Sequence, residues 1–579
     1  MSDIQCVNHL IRGISHCGER HTDRHCKCSR CVIYVFCLVI LVTHKFAPAN
    51  VKVVAEQKRL DDLARALGEN RLALRKPCME GTRTTILQEI ENRIQNVDGH
   101  NVIWIRGSPG VGKSALAASV AAQLRAQDRH VIPFRFDRTQ SATITTDALW
   151  RVVALGLARL YPSVRQYILN IVQNDKVPDP SDIDGRFKCL IEMPLYVLNG
   201  VPHKELPVIV IDALDECGGL RHDSSGKDDH KSLLHTLKHW AQIDHLKKFK
   251  LVITSRHDEL IQRTFPKSMS IYVDIPSGSN VNPGDNASHD ICIFLKSRLE
   301  SMGEGDAWVK GALDRLVPRA AGIFIWATTV ADFLEVDPRV RFVILESKKQ
   351  GDNIEGLDEL YSLYLTVVEA AFGQICEEEI QGIVSVMGAM IFAKQPLSDD
   401  VLLMLPGVKI GDSNILRLIR KGLMSVLDPG PVLHFHHRSF EDFLLSRSFR
   451  QQLHRLSGIW DRELHERHLA LLCLKAMVSS ELRFNMGNLD SSSIKNMDID
   501  VKSTVPPLIS YSSLFWVDHL IQTPSDEMMM KAVQFVMYEK LLFWLEVMSL
   551  TGNVHEAYLI LRRAATWKVC LQVISLRHI

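Results

Sequence analysis

The sequence has almost no net charge: 68 Lys and Arg face 67 Asp and Glu, a formal +1. That balance supplies no overall field to draw nucleic acid or acidic lipid, so neither is expected as a partner. Long apolar runs are also missing. The longest wholly apolar stretch, residues 31–42, holds twelve residues, short of the ~20 that a membrane-spanning helix needs. Ala47-Pro48-Ala49 offers a small-residue cleavage site, but the region before it is unusually long for a secretory signal. No period of 20–50 residues recurs, so no solenoid or propeller is expected. Cysteine is scarce beyond the N-terminus: Cys6, Cys17, Cys26, Cys28, Cys31 and Cys37 crowd the start, and the other seven sit singly. That scatter reads as a reduced, cytoplasmic chain.

What is present starts with length. At 579 residues the chain is too long for one core, and roughly 150 residues per domain suggests three or four domains. The stretch from His21 to Cys31 carries soft metal ligands, yet zinc needs four, usually as two pairs. Here the second pair would come from Cys6, His9, His16 or Cys17 at no familiar spacing. The expectation for residues 1–46 is an unstructured Cys/His-rich leader, with an anchor through 31–43 as the lesser alternative. Residues 47–77 read as a linker helix, with Leu60, Leu63, Ala64 and Leu67 near helical spacing.

Residues 101–106 are an apolar run suited to a buried strand, and they run directly into Gly107-Ser-Pro-Gly-Val-Gly-Lys-Ser114. A segment of helical composition follows, which completes the strand–GxxxxGK[ST]–helix context. Gly107, Gly110 and Gly112 let the backbone curl through Ser108, Pro109 and Val111, so that successive N–H groups face phosphates. Lys113 would neutralise the β- and γ-phosphates, and the Ser114 hydroxyl would coordinate Mg²⁺. A second apolar run, 206–211, ends in Asp212-Ala-Leu-Asp-Glu216. A carboxylate at the end of a buried strand needs a cation or donors, so Asp212 is placed to hold Mg²⁺. Asp215 or Glu216 is placed to orient or deprotonate an attacking water. A third strand, 250–256, ends with Thr254 and Arg256, where Arg256 can sense the γ-phosphate. The expected ligand is ATP or ADP with Mg²⁺.

These motifs together resemble the NACHT class of STAND nucleotide-switch ATPases, in the fungal branch with a nephrocystin-3-like N-terminal P-loop domain. The resemblance covers roughly residues 78–570. It begins at Cys78-Met-Glu-Gly-Thr-Arg83 and runs through the P-loop, Asp212 to Glu216 and Ile253-Thr-Ser-Arg256. Gly322-Ile-Phe-Ile-Trp-Ala327 looks like the family's small helical domain, and His437-Arg-Ser-Phe-Glu-Asp-Phe443 like its winged-helix motif. Phe515-Trp-Val-Asp-His519 and Lys540 to Glu546 are similar to later helices of that branch. The resemblance implies that His437 contacts the β-phosphate of ADP and locks a resting state. A packed or solvent-facing histidine is the competing reading, since His434 and His436 alternate beside it.

The implied fold class is an α/β P-loop NTPase with a three-layer, mostly parallel sheet, followed by helical, winged-helix and all-α C-terminal regions. The implied domains are 78–275 for nucleotide binding, 276–350 small helical, 351–450 winged-helix and 451–579 helical. Family members often add a repeat sensor and an N-terminal effector, for which this sequence shows no period and little room. The expected function is a signalling switch with slow ATP hydrolysis that self-associates when ATP replaces ADP, with an unknown protein partner or upstream ligand. The alternatives are a small-molecule kinase and a scaffold that binds ATP without turnover.

Overall fold

A computed structural model of the chain describes residues 60, 63, 64, 74–137, 146–217, 224–277, 286–347, 357–408, 414–488 and 504–567, apart from 175, 180–181, 244–245, 247, 525 and 566. The Cys/His-rich leader, the 31–43 run and most of the linker helix lie outside them. The chain divides into two compact units, one of residues 1–69 with 154–177 and one of 70–153 with 178–579. Within the first, the helix Pro162–Gln173 starts with Pro162 in its first turn, where a missing N–H costs nothing. It buries Val164, Ile168, Leu169 and Ile171.

The second unit holds a five-stranded, wholly parallel sheet of β1 (Val102–Gly107), β2 (Val131–Arg135), β3 (Val208–Asp212), β4 (Leu251–Ser255) and β5 (Ile271–Ile275). Their order is β2-β3-β4-β1-β5. All residues of β3 and β4, and all but Arg106 of β1, are buried, as strands covered on both faces must be. The sequence marks these three as continuous apolar runs. It does not mark β2 and β5, the two edges, whose burial alternates. Pro133 inside β2 would break a ladder in a central strand and is tolerated only at an edge.

Parallel pairing brings the carboxyl ends of β1, β3 and β4 to one rim of the sheet, with β4 between the other two. Ligands gather at that rim in open α/β sheets. Helices α1 (Thr84–Gln95) and α2 (Lys113–Ala126) pack on β1. Their Leu87, Ile90, Leu116 and Val120 share a core with Ile103, Ile105 and Val252.

Beyond the sheet the described chain is helical. The helices used below are α3 (Asn286–Glu300), α4 (Phe324–Leu334), α5 (Arg438–Leu444), α6 (Arg462–Val478) and α7 (Pro507–Leu520). Buried hydrophobic residues from Ile291 to Trp567 form one continuous cluster. Just before α5 the chain makes a single antiparallel bridge, Leu427 to Phe435. It is flanked by Asp428 N–H to His434 O at 3.0 Å and His436 N–H to Val426 O at 2.8 Å. No helix among the described residues is long and apolar enough to cross a membrane.

Candidate nucleotide site

The P-loop forms the turn from β1 into α2. Gly110 has φ +78° and Gly112 φ +95°, backbone states that side chains resist. Gly110 is also tight in space: a Cβ there would stand 2.1 Å from Ile325 Cγ2. The contact is close because the Ile325 N–H donates to Gly110 O at 2.9 Å, so the start of α4 lies directly on the loop. Gly107 is walled by Val111 and Ile275. Ser108 Oγ accepts from Ser277 Oγ at 2.9 Å. Pro109 is half-buried and Val111 fully buried.

Lys113 opens α2, and its Nζ donates to the carbonyls of Gly107 and Ser108, both at 2.9 Å. Burial pulls its pKa down to about 8, against the opposing pull of Asp215, Asp212 and Glu216. Ser114 follows in the first turn of α2 and is half-buried.

Asp212 is fully buried at the end of β3. Its Oδ1 accepts from Thr254 Oγ1 at 2.6 Å, while its Oδ2 has no partner. A buried carboxylate oxygen left unpaired is costly, and a hard cation or its water shell would satisfy it. The residues present therefore fit Mg²⁺, with Asp212 and Ser114 to hold it. The metal would neutralise phosphate charge there. Among the described residues no group of three or more His, Cys, Asp or Glu is placed to hold a metal. Mg²⁺ bound mainly through phosphates and one or two side chains needs no such group.

After Asp212, Ala213 adopts φ +58° and Leu214–Glu216 make one 3-10 turn. That turn carries Asp215 across to the end of β4. There Asp215 Oδ1 accepts the Arg256 N–H at 3.0 Å, and its Oδ2 lies 3.5 Å from Arg256 Nε. Both oxygens of Asp215 thus serve Arg256. Arg256 Nη1 also donates to Asp442 Oδ2 on α5 at 2.9 Å.

His437 is the N-cap of α5. Its Nδ1 accepts the Ser439 N–H at 3.1 Å and lies 2.6 Å from Ser439 Oγ. Accepting at Nδ1 leaves the proton on Nε2. Burial lowers its pKa well below the ordinary value, helped by the positive charges of Arg75, Arg256 and Lys113. His437 is therefore a neutral N–H donor within electrostatic reach of the P-loop lysine, not a solvent-facing neighbour of His434 and His436.

Two arginines that the sequence did not single out complete the site. Arg83, in the Cys78–Arg83 approach, has φ 60° and donates from Nη2 to Val111 O at 2.8 Å. It lies 4.0 Å from Asp290 on α3 and over the Phe324 ring at 4.8 Å. Arg75 donates to His436 O at 3.1 Å and feels the charges of Glu216 and Asp212. Its signal in the sequence is nil, because it is a lone basic residue in an irregular segment.

Residues 81–256 match the family described as nephrocystin 3, N-terminal. That segment therefore resembles a nephrocystin 3 N-terminal domain. A curated relative, the vegetative incompatibility protein HET-E-1 of Podospora anserina, is 23% identical over 502 residues, 79% of this chain. The chain spans 34% of that relative's length. Solved structures with similarity include a STAND protein with a tetratricopeptide-repeat sensor from Pyrococcus horikoshii, at 15% identity and TM-score 0.37, covering 87% of this chain and 66% of that one. The ORC2 protein of Aeropyrum pernix aligns at 13% identity and TM-score 0.30, over 69% of this chain and 98% of that one.

Proposed function

We propose that the chain is a nucleotide-operated switch that binds ATP or ADP with Mg²⁺ between the P-loop rim and a winged-helix segment containing α5. In this reading ADP holds the wing through His437, and ATP frees it to self-associate in an intracellular signalling response of the incompatibility or cell-death kind. A near-complete swing requires the two nucleotides to favour the two states unequally by about 5.5 kcal/mol. Hydrolysis is slow and resets the switch.

The observation that carries the reading is that α5, which His437 caps, is tied to the P-loop rim by the Arg256–Asp442 ion pair at 2.9 Å. A phosphotransferase has no need of a histidine from a separate helical segment over its phosphate site. Both oxygens of Asp215 engage Arg256, so in this reading Asp215 positions that arginine at the rim.

The test uses the full chain. We expect ADP to co-purify with it, Lys113→Ala to abolish nucleotide binding, and His437→Ala to weaken ADP retention about ten- to a hundredfold. That is the worth of one hydrogen bond to a charged group, about 1.5–3 kcal/mol. Unchanged ADP affinity and self-association in His437→Ala would refute the lock, and rapid phosphate transfer to a small acceptor would refute the switch.

A further inference from the structure

The opposite rim of the sheet, where the strands begin, carries a second charged cluster that the nucleotide reading does not use. Arg129 lies two residues before β2, His203 opens a 3-10 turn (His203–Glu205) that leads into β3, and Lys250 stands directly before β4. Because β3 lies between β2 and β4, the three residues come together at one end of the sheet. Arg129 Nη2 donates to the His203 carbonyl at 3.4 Å and lies 3.5 Å from His203 Nε2. A guanidinium can only donate, so Nε2 accepts and the His203 proton sits on Nδ1. Lys250 Nζ donates to the carbonyls of Gly99 and His100, both at 3.2 Å. Two residues earlier, Lys248 Nζ donates to those of Leu198 and Asn199.

This cluster lacks an acid. Arg129 is 9% exposed and Lys250 0%, and among the described residues neither has a carboxylate within ion-pair distance. Asp98, which is exposed, offsets the Lys250 charge only from further away. Arg129 Nε is buried without a hydrogen-bond partner. The carboxyl end of α2, just before Arg129, supplies a partial negative charge, less than a guanidinium carries. Burial and the Arg129 charge bring Lys250 down to about 8, and burial, Arg129 and Lys250 bring His203 down to about 4, so the groups repel one another. Arg319, equally buried, is met by both Glu346 and Glu359. Two buried cations that face only carbonyls cost folding free energy, and an anion turns that cost into binding.

We propose that this rim binds a dianionic phosphate, either the free ion or the phosphate of a small monoester, through Arg129 and Lys250, with His203 as a neutral donor and Lys248 as an outer cation. A dianion balances the two buried charges, whereas a carboxylate would leave one of them uncompensated. The guanidinium fork and a compact ammonium are the two side chains that pair best with phosphate oxygens. The site lies at the far end of β4 from Thr254 and Asp212, so it is separate from the P-loop and independent of the nucleotide reading.

The experiment uses the full chain with the P-loop disabled by Lys113→Ala, and in parallel the unaltered chain saturated with Mg²⁺-ADP. Inorganic phosphate, glycerol phosphate and acetate are titrated by calorimetry at pH 8, and melting temperatures are recorded with each. Both phosphates should bind and raise the melting temperature, and acetate should do neither. Arg129→Met and Lys250→Met should each weaken phosphate about ten- to a hundredfold, and Arg129→Lys should recover part of the loss. Binding should take up about half a proton from Lys250 at pH 8, and Lys250→Met should remove that uptake. Without phosphate, Arg129→Met should melt no lower than its parent, because it deletes an unpaired buried charge; a merely structural arginine would melt lower. Tighter binding of glycerol phosphate would assign the site to a phosphorylated small molecule, and equal or weaker binding to the free ion. Phosphate affinity unchanged in Arg129→Met, acetate bound as well as phosphate, or a chain that answers a short single-stranded oligonucleotide but neither small phosphate would overturn the proposal. None of these outcomes bears on the P-loop.

Discussion

The charge state of Lys113 makes nucleotide binding depend on pH in a way that can be worked from the structure. Its Nζ rests on two carbonyls and burial lowers its pKa from 10.5 to about 8. A polyphosphate requires the protonated form and pulls the pKa back up. If so, affinity follows the protonated fraction of the free protein, about nine-tenths at pH 7 and one-tenth at pH 9. ADP affinity should therefore fall about tenfold between those limits. The nucleotide contributes little to the change, since its terminal phosphate is fully ionised above about pH 7. His437 and His436 also stay out of it, because burial lowers both pKa values below 6.5 and they are neutral throughout. Fluorescent-ADP titration across the range gives the slope, and calorimetry at pH 8 in two buffers of different ionisation heat should detect uptake of about half a proton per ADP. Lys113→Arg, whose guanidinium stays charged, should bind more weakly but with a flat profile. Flat affinity in the wild type, or no proton uptake at pH 8, would refute the reasoning. The linkage to folding has the opposite sign. A lysine whose pKa is lowered in the fold costs stability while it must be charged, so the protein without nucleotide gains stability as pH rises from about 8 towards 10.5. The cost is at most about 3 kcal/mol, less for a half-buried side chain that water reaches.

Two further perturbations test the framework around the site. Gly110→Ala should abolish tight nucleotide binding while leaving the far-ultraviolet circular dichroism unchanged, because its Cβ would meet Ile325 at 2.1 Å on a backbone already at φ +78°; retained affinity would show that α4 need not close on the loop. The second concerns a buried relay in the C-terminal helices. There Tyr511 O–H donates to His519 Nε2 at 2.7 Å, and His519 Nδ1–H donates to Glu466 Oε2 at 2.6 Å. Lys394 Nζ reaches Glu466 Oε1 at 3.3 Å. Burial lowers the His519 pKa, so it is neutral in the fold and the unfolded chain takes up a proton below about 6.5. Burial works to raise the Glu466 carboxyl, but the His519 hydrogen bond and Lys394 bring it below its ordinary value. Both shifts give stability that is present at neutral pH and lost as pH falls. Thermal melts should shift downward from pH 7.5 to 5.5, and Glu466→Gln should lower stability by about 3–5 kcal/mol at neutral pH. A melting temperature that rises on acidification would contradict the assignment.

The central sheet was legible because its chemistry is local. Strands β1, β3 and β4 are buried on both faces, and a doubly covered strand is a continuous apolar run. Edge strands obey a weaker rule. Val131 to Arg135 contains a proline, and Ile271 to Ile275 alternates Tyr272 and Asp274 with apolar residues, so neither announces itself. Helices are legible where the apolar period is clear: the period from Leu464 to Met477 falls within the helix Arg462–Val478. The helical run from Glu527 to Leu550 is interrupted by a π turn at Val536–Lys540, between Glu527–Phe535 and Leu541–Leu550, which periodicity cannot reveal.

The site divides the same way, and the division says something about how it works. Residues that must meet a phosphate are encoded within eight positions of one turn, because a backbone cradle needs glycines in fixed order. Residues that hold the wing over that cradle are encoded at distances no local pattern reaches. Arg256 finds Asp442 across 186 positions, and Arg75 finds the carbonyl of His436 across 361. Neither contact is apolar, so neither contributes to a core. Each is a charged group on a partly exposed partner, worth little in isolation. An interface meant to be permanent would be sealed with hydrophobic side chains, as the cluster from Ile291 to Trp567 is. The Arg256–Asp442 ion pair and the Arg75–His436 hydrogen bond are partly exposed polar contacts, of the kind that a change of ligand can exchange.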